Sequence, residues 1–209
     1  MNVESFSLGC MGRPNEDRLA VKSLCNGIIV VLADGMGGLS LGDVAADVVT
    51  NSVTRYLLGN YHGNGGSEIL RHALECADMD IRETSIRNNS NMGAALAVAI
   101  VTDCQLYCTW QGNVRIYVRH QGETKLLTTD HIANVGYGNT ALTRCIKGAG
   151  LRDDVPFLCH RLYSGDQVFL CTDGLYKAEE QNLGRMPIEA LKEKLDNPED
   201  DASLVQITV

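Results

Sequence analysis

The segment Gly27-Ile-Ile-Val-Val-Leu-Ala-Asp-Gly35 decides the fold of this chain. Its apolar residues follow one another without alternating with polar ones, as in a strand that is buried on both faces. Arg18–Leu24 precedes it across a Cys-Asn-Gly turn, and this order predicts a hairpin of two strands. After Gly38, apolar residues from Leu41 to Leu57 recur at helical spacing, so we predict that a helix follows the buried strand.

Beyond this unit, strands and helices come in blocks and do not alternate singly. A loop rich in glycine and asparagine, Gly59–Gly66, leads to a second amphipathic helix around Ile69–Ile81. The further predicted strands are Ala94–Thr102, Gln105–Trp110, Val114–Arg119, Thr124–Leu127 and Leu204–Val209. This order favours an α+β fold in which helices pack outside two mainly antiparallel sheets.

The last third of the chain adds a hairpin and a short helix to this prediction. Phe157–Leu162 and Gln167–Thr172 read as two strands that turn at Ser164-Gly165-Asp166. Pro187–Leu195 predicts a helix with proline in its first turn. No low-complexity segment or linker divides the chain, so we expect residues 1–209 to form a single domain.

Composition and charge exclude several classes of partner. The 209 residues include 44% hydrophobic ones, enough for a sizeable core, and carry a formal net charge of −8. Such an acidic chain is poorly suited to bind nucleic acid or an anionic membrane surface. No apolar run approaches the roughly 18 residues of a membrane span, and the first residues do not resemble a signal peptide.

The cysteines favour a reducing compartment. Eight are present, but no Cys-x-x-Cys pair occurs and no cysteine has the spacing of a zinc ligand. Some lie within apolar runs, where a free thiol behaves as a small hydrophobic side chain. We therefore expect free thiols and a cytoplasmic protein.

Acidic residues recur where predicted strands begin or end. Asp34 ends the buried strand, Asp173 ends another, Asp200 precedes the last one, and Asn15-Glu16-Asp17 precedes the first of the hairpin. Carboxylates gathered at strand ends are ligands that Mg²⁺ and Mn²⁺ prefer, and two such ions can clamp a phosphoryl group. Aspartate followed by glycine is also a common turn dipeptide, so an ordinary structural role stays open from these residues alone.

The glycine-rich stretch after Asp34 favours an ion over a nucleotide. Gly35, Gly37 and Gly38 would let the backbone come close to a bound ion. The stretch lacks the Gly-Lys-Ser/Thr of a phosphate-binding P-loop and does not fit the Gly-x-Gly-x-x-Gly of dinucleotide-binding proteins. A nucleotide-cradling loop is therefore the weaker interpretation.

Taken together in chain order, these motifs resemble those of the metal-dependent Ser/Thr protein phosphatases of type 2C, the PPM family. The resemblance covers nearly the whole chain. The matching segments are Asn15-Glu-Asp-Arg18, Asp34-Gly-Met-Gly-Gly38, Gly93-Ala-Ala95, Gly112-Asn-Val-Arg115, Leu127-Thr-Thr-Asp-His131, Thr172-Asp-Gly-Leu175 and Asp200-Asp-Ala-Ser203.

The resemblance implies a four-layer α/β/β/α sandwich and a metal-dependent hydrolase. Two Mn²⁺ or Mg²⁺ ions would share a hydroxide that attacks phosphoserine or phosphothreonine in a phosphoprotein, opposing a Ser/Thr kinase. The metal ligands would be Asp34, the Gly35 carbonyl, Asp173, Asp200, Glu16 and Asp17, the last two directly or through water. Asp34 and Asp173 would be the catalytic residues, acting through the bridging water.

Four departures from the family pattern affect this expectation. Gly12 stands where the family has its phosphate-binding arginine, and Arg13, one place later, is the candidate to replace it. Asn113 replaces the aspartate that helps to hold a third metal, so a third site would be weak or absent. Ala94-Ala95 lacks the usual hydroxyl groups, and the flap segment between His131 and Ala141 is shortened.

These departures leave a second hypothesis beside the enzyme. A catalytically weak relative would act as a phosphoprotein-binding or regulatory module. We favour the enzyme, because the carboxylates expected to bridge the ions contribute most to this chemistry and are all present.

Overall fold

Two five-stranded antiparallel sheets form the centre of the computed structural model, which describes residues 1–36, 41–63, 66–136 and 139–209. In chain order the strands are β1 (Asn2–Leu8), β2 (Asp17–Leu24), β3 (Gly27–Gly35), β4 (Ala94–Val101), β5 (Gln105–Gln111), β6 (Arg115–His120), β7 (Glu123–Leu126), β8 (Ile132–Gly136), β9 (Asn139–Leu142), β10 (Leu158–Arg161), β11 (Gln167–Cys171) and β12 (Ala202–Thr208). One sheet has the order β1-β12-β11-β6-β7 and the other β10-β5-β4-β3-β2.

Helices cover the outer face of each sheet. They are α1 (Gly42–Asn60), α2 (Ser67–Asn88), α3 (Asp173–Glu179) and α4 (Ile188–Lys194), with one 3₁₀ turn at Glu180–Asn182. The long pair α1 and α2 packs on the sheet that contains β3. The short pair α3 and α4 packs on the sheet that contains β12.

The deciding strand β3 divides its side chains between two hydrophobic layers. Ile29, Val31 and Ala33 pack under α1 and α2. Ile28, Val30 and Leu32 point the other way, into the core between the sheets. Both faces are thus buried, as the unbroken apolar run predicts, because successive side chains of a strand point to opposite faces.

The four layers confirm the predicted α/β/β/α sandwich. The third hydrophobic layer lies under α3 and α4 and includes Phe6, Phe169 and Leu204 from the facing sheet. Trp110 is part of the core between the sheets, and its indole nitrogen donates to the Thr129 carbonyl oxygen at 2.9 Å. Three layers of apolar contact therefore hold the two sheets at a fixed distance from each other and from their helices.

The hairpin predicted from Phe157–Leu162 and Gln167–Thr172 is wrong. β10 pairs with β5 in one sheet, whereas β11 pairs with β6 and β12 in the other. The chain crosses between the sheets at Ser164-Gly165-Asp166, where Gly165 N donates to Val209 O at 2.7 Å. Both segments can find longer apolar partners elsewhere, so a local turn does not make them neighbours.

The other predicted elements agree with the structure to within a few residues. Helix α1 continues to Asn60 and so takes in Gly59, where the sequence predicts the start of a loop. Helix α2 is longer at both ends than the predicted apolar stretch. Strand β1, helix α3 and the pair β8–β9 have no counterpart in the prediction, and Gly37 and Gly38 of the predicted ion-binding turn lie outside the described residues.

The segment expected to be a shortened flap forms a small hairpin of its own. Within the ranges that the structure describes, strands β8 and β9 pair with each other and with no other strand, and this two-stranded sheet is separate from both large ones. Its base is fixed because His131 N donates to Gly112 O at 2.9 Å and Thr143 N donates to His131 O at 2.8 Å. The base of the hairpin is therefore held against the loop that follows β5.

Two further features concern the cysteines and the apolar character of the helices. All eight cysteines are free, and burial raises the pKa of Cys108 to about 12. Among the helices of the described ranges, none has the length and apolar character needed to cross a membrane.

Candidate metal centre

A cavity of about 780 Å³ opens where strands of the two sheets end at the same side of the sandwich. Its lining includes almost every residue that the sequence singles out for the site. The predicted residues on its wall are Arg13, Glu16, Asp34, Gly35, Asn113, Asp173 and Asp200. Met36, Ile132 and Leu142 add apolar surface, the last two from the β8–β9 hairpin.

Asp17 and Asp34 are direct cross-strand partners in the β2–β3 ladder. Asp17 lies beneath the cavity and is only 2% exposed. Its Oδ2 accepts a hydrogen bond from Thr172 Oγ1 at 2.8 Å, which links the two sheets, because Thr172 directly follows β11. Its Oδ1 is buried and accepts no hydrogen bond from any described residue.

Burial and mutual repulsion make these carboxylates hard to ionise. Burial raises the pKa of Asp17 to about 8, and the nearby Asp201 and Asp173 add to the shift, whereas the hydrogen bond from Thr172 opposes it. Burial likewise raises the pKa of Asp34 well above its usual value, with Asp17 the next cause. A nearby cation would reverse both effects, since it favours the charged form.

Each of the two Asp-Gly dipeptides, at the end of β3 and at the start of α3, needs its glycine for a close backbone approach. A Cβ on Gly35 would collide with the carbonyl of Gly42 at the start of α1. A Cβ on Gly174 would collide with the carbonyl of Asp201 and lie 2.8 Å from that of Asp200. Each copy of the dipeptide thus brings its backbone against a second segment of the site.

Asp173 stands at the start of α3 and accepts two hydrogen bonds on a single oxygen. Lys177 Nζ donates to its Oδ2 at 2.7 Å, and Asn113 Nδ2 donates to the same atom at 3.0 Å. No described residue donates to Oδ1 of Asp173. This oxygen is therefore available to a ligand in the cavity.

Arg13 lies among the acidic residues on the opposite wall. Its guanidinium contacts Glu16 Oε2 at 3.2 Å and Asp201 Oδ2 at 3.1 Å, and it is also bonded to Asp200. The candidate phosphate-binding arginine is thus placed at the cavity but is paired with carboxylates. Lys177 balances charge in the same way on the other side.

Asp201, like Lys177, is a residue at the site that sequence reasoning missed. It is 4% exposed, and its two oxygens accept from Cys10 N at 2.7 Å and from Glu16 N at 2.8 Å. It therefore fixes the loop that carries Arg13 and Glu16 to the start of β12. No local signal distinguishes it from Asp200, because both aspartates precede β12 and only the folded loop determines which of them is buried.

The donor set suits a hard divalent cation. It consists of carboxylate and carbonyl oxygens, and one buried carboxylate oxygen, Asp17 Oδ1, has no partner among the described residues. Within the part of the chain that the structure describes, no three acidic, histidine or cysteine side chains form a closed metal cluster. Arg13 and Lys177 instead bind the outer carboxylates, so an ion would have to compete with their charges.

Known proteins place this arrangement in a family. The sequence model described as protein phosphatase 2C matches residues 10–206. A Mycoplasma genitalium protein provisionally named a protein phosphatase is 26% identical over 203 positions, covering 84% of this chain and 77% of the relative.

Solved structures share the fold across nearly their whole length. The Staphylococcus aureus Ser/Thr phosphatase Stp1 is 21% identical, with a TM-score of 0.84, and the match covers 99% of this chain and 94% of Stp1. The Mycobacterium tuberculosis Ser/Thr phosphatase PstP is 21% identical, with a TM-score of 0.82 and coverage of 100% and 98%. A catalytic domain of PstP solved with two manganese ions matches with a TM-score of 0.80, 21% identity and coverage of 98% and 96%.

The family match spans the segments that carry the site, from the loop before Arg13 to the strand after Asp201. The predicted resemblance and the predicted enzyme class, a metal-dependent protein phosphatase, are thereby confirmed. The chain belongs to the protein phosphatase 2C family.

Proposed function

We propose that this chain hydrolyses phosphoserine and phosphothreonine in proteins and requires two Mn²⁺ or Mg²⁺ ions. The observation that carries the proposal is the meeting of carboxylates from both sheets at one cavity, with the pKa values of Asp17 and Asp34 raised by burial. The ligands we propose are Asp34, the Gly35 carbonyl, Asp173, Asp200, Glu16 and Asp17, the last two directly or through water.

Bound ions would lower the pKa of a water molecule and neutralise the charge of the phosphoryl group. Asp34 and Asp173 approach the cavity from different sheets and would orient the attacking water between them. As the water oxygen bonds to phosphorus, the bond from phosphorus to the serine or threonine oxygen breaks. That oxygen would take a proton from a water molecule in the cavity, and Met36 on the cavity wall carries no acidic proton that could serve instead.

Arg13 is our candidate for holding the phosphoryl group. A guanidinium can bind two phosphate oxygens at once, and Arg13 already lines the cavity. Its present partners are carboxylates that we propose as metal ligands or their neighbours, so metal binding would free its donors for phosphate. We propose that Asn113 leaves a third metal site weak or absent, since a neutral amide is a poor ligand for Mn²⁺.

We further propose that residues 1–209 act as one catalytic domain in the cytoplasm, opposing a Ser/Thr kinase on phosphoprotein substrates. Coverage of nearly the whole length of Stp1 and of PstP supports the single domain. The free thiols support a reducing compartment. The net charge of −8 supports neither nucleic acid nor a membrane surface as a partner.

Hydrolysis of a phosphothreonine peptide in Mn²⁺ tests the proposal. We expect turnover that EDTA abolishes and that Asp34→Asn and Asp173→Asn each reduce at least about a hundredfold, since each removes a charged ligand. Asp103→Asn, in the exposed turn between β4 and β5, is the matched control and should keep wild-type activity. Undiminished turnover in EDTA, or in both cavity variants, would refute the proposal.

A further inference from the structure

Lys177 has a position that its place in the sequence alone does not explain. It follows Asp173 by one helical turn in α3, and such pairs on a helix surface are ordinary. Here, however, the Asp173 side chain is only 14% exposed, and both residues line the cavity of the metal centre. The ammonium therefore belongs to the site and is not only part of a surface ion pair.

Two donors converge on the same oxygen of Asp173. Lys177 Nζ reaches Oδ2 at 2.7 Å and Asn113 Nδ2 reaches it at 3.0 Å. Together they fill the side of Asp173 that faces Asn113 and leave Oδ1 toward the rest of the cavity. A divalent ion on Oδ2 would have to displace an ammonium and would meet a neutral amide in place of a second carboxylate.

The acidic groups around Lys177 favour its charged form. The Lys177 ammonium donates to Asp173 at 2.7 Å, and the carboxyl groups of Asp200 and Asp34 line the same cavity. The amide of Asn113 is fixed from one side only, since its Oδ1 is buried and has no partner among the described residues. A permanent cation and a neutral ligand thus stand where the family resemblance implies a third metal.

We propose that Lys177 is a built-in cation that, with Asn113, takes the place of a third divalent ion on Asp173 and so limits the metal content to two. This inference rests on the proposed function, because it concerns the same metal centre. Lys177 is a positioning residue in this role: it holds the Asp173 carboxylate and occupies the adjoining space without touching the reacting phosphorus. Asn113 and Lys177 work as a pair, since a carboxylate at position 113 would only gain an ion if the ammonium were gone.

Mn²⁺ binding to the purified full chain tests the pair directly, with free Mn²⁺ followed by electron paramagnetic resonance and no substrate present. We expect two ions in the wild type and in Asn113→Asp. Lys177→Gln should strengthen a third site about tenfold, because it removes the ammonium from Asp173 Oδ2. Asn113→Asp with Lys177→Gln should strengthen it about a hundredfold, because a carboxylate then joins the vacated position, whereas in Asn113→Asp alone the ammonium stays in place and pairs with the new charge. Asn113→Asp with Lys177→Arg is the matched control, and it should stay at two because the positive charge remains.

The outcomes separate this inference from the proposed function. The inference is overturned if Asn113→Asp binds a third ion with Lys177 in place, or if the variant Asn113→Asp with Lys177→Gln binds none. In either case the proposed function still stands, provided that the wild type binds two ions and is an active phosphatase. A wild type that binds no Mn²⁺ overturns both. If Asn113→Asp disturbs folding, Lys177→Gln alone still tests the inference, because the Lys177 side chain is 63% exposed and its replacement leaves no cavity. An unchanged affinity of the third site in Lys177→Gln also overturns the inference.

Discussion

Replacing Asp201 with alanine should both destabilise the protein and loosen one wall of the metal centre. Its carboxylate is 4% exposed and joins β12 to two backbone N–H groups, those of Cys10 and Glu16, at 2.7 and 2.8 Å. A hydrogen bond to a charged acceptor contributes about 1.5–3 kcal/mol, so the two together would contribute about 3–6 kcal/mol. Two effects offset part of this loss: the alanine variant has less charge repulsion on Asp17 and Asp34, and water can bind the half-buried N–H donors. The expected loss in the free energy of unfolding is therefore about 3 kcal/mol.

Thermal unfolding in EDTA measures this loss without a contribution from bound metal. For a chain of this size, about 3 kcal/mol corresponds to a fall in Tm of about 6–12 °C. Asp201→Asn keeps one acceptor oxygen but turns an NH2 toward the second backbone N–H, so it should lower the free energy of unfolding by about 2 kcal/mol. Asp103→Ala, at an exposed turn, should leave Tm within about 1 °C. A fall of under about 2 °C in Asp201→Ala would show that the loop is held by other contacts and would refute the reasoning.

Two further predictions concern the glycine turn and the buried carboxylates. Gly35→Ala should lower the free energy of unfolding by about 1–3 kcal/mol and weaken Mn²⁺ binding, because the new Cβ would collide with the Gly42 carbonyl. Gly59→Ala is the control, since Gly59 has open space around it in α1, and it should be neutral or slightly stabilising. Urea unfolding and Mn²⁺ titration of both variants check this, and equal behaviour of the two would contradict it. In EDTA, the free energy of unfolding should fall by at least about 1 kcal/mol between pH 5 and pH 8. Asp17 and Asp34 have raised pKa values, so the folded state binds more protons than the unfolded state. Stability is therefore lost as the pH rises through the pKa of the folded state. Urea unfolding at several pH values measures the slope, which saturating Mn²⁺ should flatten; a slope of the opposite sign would show that these carboxylates ionise readily in the folded protein.

The sequence was most informative where a local pattern and a layer of the fold coincide. The unbroken apolar run of β3 predicts a strand with two buried faces, and the structure confirms it with alternate residues in different layers. The acidic residues at the strand ends could also be identified from the sequence. A carboxylate that directly follows an apolar strand is recognised locally, whichever strand pairs with it in the sheet. Asp34, Asp173 and Asp200 accordingly all reach the predicted cavity.

What the sequence did not predict depends on partners that are distant along the chain. The segments β10 and β11 flank a good turn, but their neighbours β5 and β12 lie far away in sequence, and no local signal names them. Lys177 could not be assigned to the site without α3, whose seven residues are too few for a clear apolar period. Arg13 was found as a candidate, but its pairing with Glu16 and Asp201 follows only from the folded loop.

The place of β12 within its sheet determines when the site can exist during synthesis. This strand lies between β1 and β11 and is paired with both, yet the ribosome makes it after all the other strands. Until it emerges, β1 lacks its neighbour, and Asp200 and Asp201 are absent from the cavity. The nascent chain would therefore expose the edges of β1 and β11, which puts it at risk of aggregation. It would also lack part of the proposed metal centre until these distant contacts close.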